Sequence, residues 1–229
     1  MPLDANPFRL LVFDWDGTLM DSIGTIVACT QATIRELELG ELPEPTIRGT
    51  IGLGLRETID ILSPGCDDDL YGRILESYRN HWHSTYRDMP LLFSGVGGML
   101  RELSAEGYLL AVATGKSRRG LDYALDQTGL RELFHSTRTA DEAFSKPHPQ
   151  MLLDILDELG VPPREAVMIG DTTYDLEMAR GARTGSVAVC SGGHGREELE
   201  SLGPLACLDD VVELAPWLAK RAEPVTIER

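Results

Sequence analysis

Four short apolar runs stand out from a sequence in which apolar and polar residues are otherwise mixed. They lie at residues 9–13, 108–113, 166–169 and 186–190. Each run is partly β-branched and shows no strict alternation, which is typical of strands buried on both faces of a parallel sheet. Helical spacing of apolar residues between the runs predicts helices around residues 100–103 and at 118–129, 151–160 and 173–182. This alternation of strands and helices predicts an α/β fold with a parallel sheet.

Residues 20–89 have a different pattern. Apolar residues at 23, 26, 27, 34 and 37 follow helical spacing, and Leu70, Ile74, Tyr78 and Trp82 repeat it. No convincing strand is visible, so we predict a helical insert after the first strand, with Tyr78 and Trp82 packed in its interior. Pro90 and nearby glycines mark its end. We therefore expect an α/β core of residues 1–19 and 90–229, and a helical domain of residues 20–89.

Polar residues follow the predicted strands at the end where parallel sheets bind ligands. These residues are Asp14, Asp16, Gly17 and Thr18 after the first run, Thr114, Gly115 and Lys116 after the second, and Asp171 and Asp175 after the third. Lys146 lies in a polar segment between the second and third runs. Because the carboxyl ends of parallel strands meet at one edge of a sheet, we expect these groups to share one crevice.

The acidic residues of this crevice need a compensating charge, because buried carboxylates so close together repel one another. Asp14, Asp16 and Asp171 offer hard oxygen ligands that suit Mg²⁺. A threonine hydroxyl and a lysine would hold a phosphoryl group whose charge grows during transfer. One carboxylate can attack phosphorus, and the acid two residues further on can serve as general acid and then as base. The set favours phosphoryl transfer.

Composition narrows the class of protein further. The formal net charge is −16 and no basic run occurs, which argues against nucleic acid as a partner. No apolar stretch is long enough to cross a bilayer, and the first residues lack the pattern of a secretory signal. The few cysteines form no metal or redox motif, which suits a reducing compartment, so we expect a cytoplasmic protein. Both a monomer and a homodimer fit the sequence.

Four segments resemble the motifs of a known superfamily. The segments "DWDGTLMDS", "ATG", "SKPHP" and "GDTTYD" are similar, in this order, to the four motifs of the haloacid dehalogenase superfamily. The insert resembles that superfamily's α-helical cap, and the phosphoglycolate-phosphatase-like phosphatases are the most similar branch. The resemblance spans almost the whole chain. It implies a Rossmann-like core, with helices on both faces of the parallel sheet, plus the inserted cap.

The resemblance also implies the chemical roles of the site residues. Asp14 is the expected nucleophile and Asp16 the expected acid and base. Thr114 and Lys146 are expected to bind the phosphate. Further substrate contacts are expected from Gly17, Thr18, Gly115 and, with a lesser role, Lys116.

A metal set follows from the same resemblance. Mg²⁺ is expected on Asp14, on the backbone carbonyl of Asp16 and on Asp171. Asp175 is expected to support the metal from outside its direct ligands or through a water. A capping box with Thr172 would also explain Asp175, and it does not exclude a metal role.

Two arginines of the insert, Arg48 and Arg56, are candidates for binding a carboxylate or phosphate of the substrate. Arginine binds such groups in a bidentate manner. The alternative is that both side chains face solvent. Substrate identity is expected to depend mainly on the insert, because a cap that closes over the crevice selects the leaving group.

Departures from the superfamily's patterns narrow the activity. Members that cleave carbon–halogen bonds typically lack the second acid, which is present here as Asp16. Members that cleave phosphonoacetaldehyde use a cap lysine, and the only lysines here are Lys116, Lys146 and Lys220. We therefore predict a Mg²⁺-dependent phosphatase for a small metabolite, acting through an aspartyl phosphate. A phosphomutase and a phosphoaspartate signalling module are alternatives, and phosphoglycolate, pyrophosphate, a nucleotide or a sugar phosphate all remain open as substrates.

Overall fold

The core of the protein is a parallel β-sheet. The computed structural model describes residues 7–85 and 92–222, and within them six strands pair in the order β3-β2-β1-β4-β5-β6. The strands are β1 (Leu10–Phe13), β2 (Leu109–Thr114), β3 (Ser136–Thr139), β4 (Ala166–Gly170), β5 (Gly185–Val189) and β6 (Cys207–Leu208). Four of them coincide with the predicted runs. The predicted α/β fold with a parallel sheet is confirmed.

Sequence patterns missed the two edge strands. β3 has the sequence STRT and pairs with β2 from Ala111↔Ser136 to Thr114↔Thr139. β6 has two residues and pairs only with β5. An edge strand has a neighbouring strand on one side only and is less enclosed than a central strand. Its sequence therefore need not be a continuous apolar run. Both strands were therefore invisible to a search for apolar runs.

Helices cover both faces of the sheet, as expected. They are α5 (Val96–Ala105), α6 (Arg118–Thr128), α7 (Gln150–Leu159), α8 (Thr173–Ala182), α9 (Arg196–Ser201) and α10 (Leu214–Ala222). One apolar cluster joins α5, α6 and α10 to one face, and a second joins α7 and α8 to the other. The predicted glycine stop of α7 is present, because Gly160 follows the helix in the left-handed conformation at φ 63°.

The insert is helical in the part that the structure describes. Its helices are α1 (Ile23–Glu36), α2 (Glu44–Arg48), α3 (Leu55–Leu62) and α4 (Asp68–Thr85), of which the short α2 and α3 were not predicted. Small apolar clusters of its own hold it together, one around Ile47 and another around Ile59. The predicted boundary at residue 89 lies outside the described residues. The division of the chain into two domains stays a prediction.

A loop of the insert is seated on the carboxyl ends of the strands. The Tyr174 hydroxyl donates to the Gly49 carbonyl at 2.7 Å, and the Gly54 N–H donates to the Ser145 hydroxyl at 2.7 Å. A Cβ at Gly115 would overlap the Gly52 and Leu53 carbonyls. Only glycine at 115 allows this approach. The insert therefore covers the carboxyl ends of the strands, where the polar segments meet. None of the described helices is long and apolar enough to cross a membrane.

Candidate active site

After β1, the side chains of residues 14, 15 and 16 point alternately toward the crevice and toward the core. The Asp14 N–H donates to the Ile169 carbonyl at 2.9 Å and so prolongs the pairing of β1 with β4. Trp15 is fully buried in the core, where its indole N–H donates to the Met20 sulfur at 3.3 Å. Because successive side chains of an extended segment point in opposite directions, Asp14 and Asp16 face the crevice. The strand order reverses between β1 and β4, where parallel sheets commonly bind ligands.

Lys146 joins two of the buried aspartates. Its ammonium nitrogen lies 2.6 Å from Asp14 Oδ1 and 2.7 Å from Asp175 Oδ1, and its side chain is fully buried. Burial alone would lower the pKa of Lys146, but the charges of Asp14 and Asp175 outweigh this and raise it above its ordinary value. The lysine is therefore a fixed positive charge between two carboxylates.

Asp171 is held by hydrogen bonds to both of its carboxylate oxygens. The Thr18 hydroxyl donates to Oδ1 at 2.6 Å, and the Gly193 N–H donates to Oδ2 at 2.7 Å. Burial raises the pKa of Asp171 to about 7, and the charge of Asp175 adds to this. A Cβ at Gly17 (φ 83°) or at Gly192 would overlap the Asp171 carboxylate. Gly17 and Thr18, which were predicted as substrate contacts, both lie against Asp171.

Asp175 has two structural functions at once. Its Oδ2 accepts hydrogen bonds from the Thr172 N–H at 3.1 Å and the Thr172 hydroxyl at 2.7 Å. These bonds form the capping box that the sequence suggested at the start of α8. Its Oδ1 is the atom that contacts Lys146. The capping box and the charged cluster therefore share one carboxylate.

The three aspartates fit a divalent cation. Asp14, Asp171 and Asp175 each offer a carboxylate oxygen, and these atoms lie within 4.8 Å of one another. Asp14 Oδ2 is buried and has no hydrogen-bond partner within residues 7–85 and 92–222. Burial, offset in part by Lys146 and reinforced by Asp175 and Asp171, raises the pKa of Asp14 well above its usual value. A cation at this unpartnered oxygen would restore the charged form. The Asp16 side chain is not one of this group.

Asp16 has its own partners. The Ser22 hydroxyl donates to Oδ1 at 2.6 Å, and the Lys116 ammonium lies 2.9 Å from Oδ2. The same ammonium lies 5.3 Å from the ring centroid of Trp82 on α4. Neither Ser22 nor Trp82 was predicted to belong to the site. Lys116 therefore links Asp16 of the core to Trp82 of the insert.

A cavity of about 250 Å³ opens above these groups. Asp14, Asp16, Thr114, Gly115 and Lys116 line it from the core, as the sequence predicted for one crevice. Thr114 is the last residue of β2, and its hydroxyl accepts the Lys116 N–H at 3.2 Å. The insert supplies the opposite wall. Tyr78 and Trp82 belong to this wall, which corrects their assignment to the interior of the insert.

Arg48 and Arg56 are not among the residues that line this cavity, and their role in substrate binding stays a prediction. Arg48 pairs with Glu44 of its own helix at 2.7 Å. Arg56 pairs with Asp60 and Asp68, both at 3.2 Å. Acidic residues one helical turn away hold both side chains at the surface. The cavity is instead lined by Arg79 and Arg119, which sequence reasoning missed. The one available signal was helical spacing, because residues 75, 78, 79 and 82 share a face of α4.

Comparisons with known proteins agree with this architecture. A family model for haloacid dehalogenase-like hydrolases matches residues 11–189. The Probable phosphatase IndB of Dickeya dadantii is 33% identical over 90% of this chain and 91% of its own length. The phosphoglycolate phosphatase of Psychrobacter arcticus is 27% identical over 93% of this chain and 96% of its own. A solved structure of a hydrolase from Pseudomonas syringae matches with a TM-score of 0.83 and 25% identity, over 94% of this chain and 100% of that one.

The fold and the four segments define a hydrolase with a parallel α/β core and an inserted helical region. The chain belongs to the haloacid dehalogenase-like hydrolase family, because the family model covers most of its length. The superfamily inferred from the four motifs is therefore confirmed. Its likeness to a phosphoglycolate phosphatase over nearly the whole chain confirms the predicted branch.

Proposed function

We propose that this protein is a Mg²⁺-dependent phosphatase that hydrolyses a small phosphomonoester through an aspartyl phosphate. The observation that supports this most directly is the state of Asp14. Its carboxylate is buried at the floor of the cavity, Lys146 fixes one oxygen, and the other oxygen has no partner among the described residues. A carboxylate held in this way can serve as a nucleophile. The phosphatase relatives point to the same reaction class.

The first half of the reaction forms the intermediate. An oxygen of Asp14 attacks phosphorus, and the bond between phosphorus and the leaving alcohol breaks. Asp16, in its protonated form, gives its proton to the departing alcohol oxygen. Lys146 and the Thr114 hydroxyl stabilise the charge that develops on the phosphoryl oxygens. The products of this half are an aspartyl phosphate at residue 14 and a free alcohol.

The second half releases phosphate. Asp16 is now a carboxylate and takes a proton from a water molecule, which attacks phosphorus. The bond between phosphorus and the Asp14 oxygen breaks, so that Asp14 and the protonated Asp16 are both regenerated. Ser22 and Lys116 hold Asp16 in place during both halves. A Mg²⁺ ion held by Asp14 and Asp171, with Asp175 in support, would neutralise charge on the phosphoryl group.

The test is release of inorganic phosphate from a panel of phosphomonoesters, with Mg²⁺ and with EDTA. Release that requires the metal and disappears in Asp14→Asn would support the proposal. Trapping of ³²P on the wild-type protein but not on Asp14→Asn would identify the intermediate. Transfer of phosphate to a second hydroxyl without net release would instead indicate a phosphomutase. Stable phosphorylation without turnover would indicate a signalling module.

The remaining expectations concern partners and location. We propose a small phosphorylated substrate, with no role for nucleic acid, because the net charge of −16 opposes binding of a polyanion. We also propose a cytoplasmic location. All four cysteines are free, which fits a reducing compartment.

A further inference from the structure

The wall that the insert contributes to the cavity is mostly apolar. Its side chains include Ile26, Ile47, Leu55, Leu75, Tyr78 and Trp82. The rings of Tyr78 and Trp82 lie side by side, with centroids 6.3 Å apart and planes 29° from parallel. Asp14 and Asp16 fix the position of the phosphoryl group on the core side. The leaving group of the substrate must therefore lie against this apolar wall.

Unpaired positive charge at the cavity comes from two exposed arginines. Lys116 is already paired with Asp16. Arg79 and Arg119 line the cavity but are exposed, and neither forms an ion pair in the part of the chain described. A second anionic group near the phosphoryl group would meet Asp14, Asp16 and aliphatic side chains. Where it lay against these aliphatic side chains and not beside Arg79 or Arg119, it would lose its hydration without gaining a cation, which is unfavourable.

One polar group that α6 of the core contributes to the cavity lacks a partner. The Tyr123 hydroxyl is buried, and no hydrogen-bond partner for it occurs within the described residues. Its ring stands edge-on to His83, with centroids 5.8 Å apart. Both residues line the cavity. Buried hydroxyl groups usually have a partner, so a polar atom of the ligand is a natural occupant of this position.

We propose, on the basis of the phosphatase function above, that the substrate is the phosphomonoester of a ring-sized and mainly apolar alcohol. A cavity of about 150 Å³ can hold a benzene ring, so the 250 Å³ present here has room for a ring in addition to polar groups. The alcohol carries one hydrogen-bonding group for Tyr123. Phosphoglycolate and pyrophosphate are poor substrates, because each places a second anion against the apolar wall.

A series of primary alkyl phosphates tests this proposal without differences in leaving-group chemistry. We compare 2-phenylethyl phosphate with ethyl phosphate, and add phosphoglycolate as the ester that carries a second anion. Burial of the ring should raise kcat/KM for 2-phenylethyl phosphate about 30-fold above that for ethyl phosphate. Phosphoglycolate should be no better than ethyl phosphate. A kcat/KM for phosphoglycolate above that for 2-phenylethyl phosphate would overturn the proposal and leave the phosphatase function intact.

A pair of variants on α3 locates the preference in the wall. Leu55→Arg places a cation on the cavity side, and Ile61→Arg places the same charge at a position that is 51% exposed. Leu55→Arg should raise the ratio of kcat/KM for phosphoglycolate over 2-phenylethyl phosphate about tenfold. Ile61→Arg should leave the ratio unchanged. Equal ratios in both variants would overturn the inference, whereas absence of turnover for every ester in the wild-type protein would overturn the phosphatase proposal itself.

Discussion

The two walls of the cavity are built on opposite principles. On the core side, each buried charge has defined partners: Lys146 lies between Asp14 and Asp175, and Asp171 accepts two hydrogen bonds. On the insert side, the wall is mostly apolar, and its arginine, Arg79, is exposed and forms no ion pair among the described residues. Charged partners in a buried site fix position to within a fraction of an ångström, whereas apolar contacts tolerate different shapes. The comparison suggests that the core determines the reaction and the insert determines the substrate.

The largest effect should come from the carboxylate at the floor of the cavity. Replacing Asp14 with Asn removes the proposed nucleophile but keeps the size of the side chain. We expect phosphate release to fall at least about 10,000-fold. Asp21→Asn, an exposed acid in the same segment, is the matched control and should retain activity. Equal activity of the two variants would remove Asp14 from the mechanism and leave the core without a defined reaction.

The stability of the core side depends on one lysine. Lys146→Met removes the positive charge and leaves Asp14 and Asp175 buried without a cation. Breaking a buried ion pair from one side costs about 3–5 kcal/mol, so the free energy of unfolding should fall by that amount. Urea unfolding in EDTA measures it, since no metal can then replace the lysine. Lys220→Met at the exposed end of α10 is the control. Equal losses in both variants would contradict the cluster as the source of the effect.

Topology made the core side predictable from the sequence. Short apolar runs located β1, β2, β4 and β5, and the rule for strand ends then placed Asp14, Thr114 and Asp171 at one edge. What the sequence did not reveal was which atoms pair. The Gly193 N–H that reaches Asp171, for example, comes from a loop about twenty residues further on. Such contacts depend on how loops return to the sheet, and no local pattern encodes this.

The insert was less predictable for a physical reason. Helical spacing located α1 and α4, but a face that lines a cavity and a face that packs in a core have the same apolar pattern. Tyr78 and Trp82 were therefore assigned to the interior. Charged side chains raise a different difficulty: Arg48 and Arg56 each form an ion pair with a neighbouring acid on the surface. The pattern of a single sequence does not show whether a charged side chain forms an ion pair or is free to bind a ligand.

The next prediction distinguishes the role of Asp16 from that of Asp14. Asp16→Asn removes the proposed proton donor, so hydrolysis of an alkyl phosphate should slow about 100- to 1,000-fold. A p-nitrophenolate leaving group needs no proton, and formation of the aspartyl phosphate from p-nitrophenyl phosphate should slow much less. A single-turnover burst of p-nitrophenolate measures this step. Equal slowing with both esters would contradict the assignment of Asp16 as general acid.

The hydrogen bond from Thr18 to Asp171 offers a smaller test of the core side. Thr18→Val keeps the shape of the side chain but removes the hydroxyl donor. Groups that orient a metal ligand typically contribute about 10-fold or more to metal affinity, so Mg²⁺ should bind about tenfold more weakly. Isothermal titration calorimetry measures this independently of activity. Thr30→Val, a change on the insert side of the cavity, should leave Mg²⁺ affinity unchanged. The opposite ranking would contradict the placement of the metal at Asp171.

The smallest effect concerns a contact between a cation of the core and an aromatic ring of the insert. Trp82 belongs to the insert, and its ring faces the lysine that holds Asp16. A cation–π contact of this kind contributes about 0.5–1 kcal/mol, so Trp82→Leu should lower kcat for alkyl phosphates about two- to fivefold. The burst with p-nitrophenyl phosphate should change less, because the contact acts through Asp16, the proposed proton donor.

Trp217 provides the matched control for this contact. Its ring lies 4.7 Å from the Arg221 guanidinium, remote from the cavity, so Trp217→Leu removes an equivalent cation–π pair without touching Asp16. We expect it to lower the melting temperature and to leave kcat for both esters unchanged. If Trp82→Leu instead raised KM alone, the tryptophan would act only as part of the apolar wall. The core and the insert would then contribute separately to catalysis and to selectivity, with no coupling through Lys116.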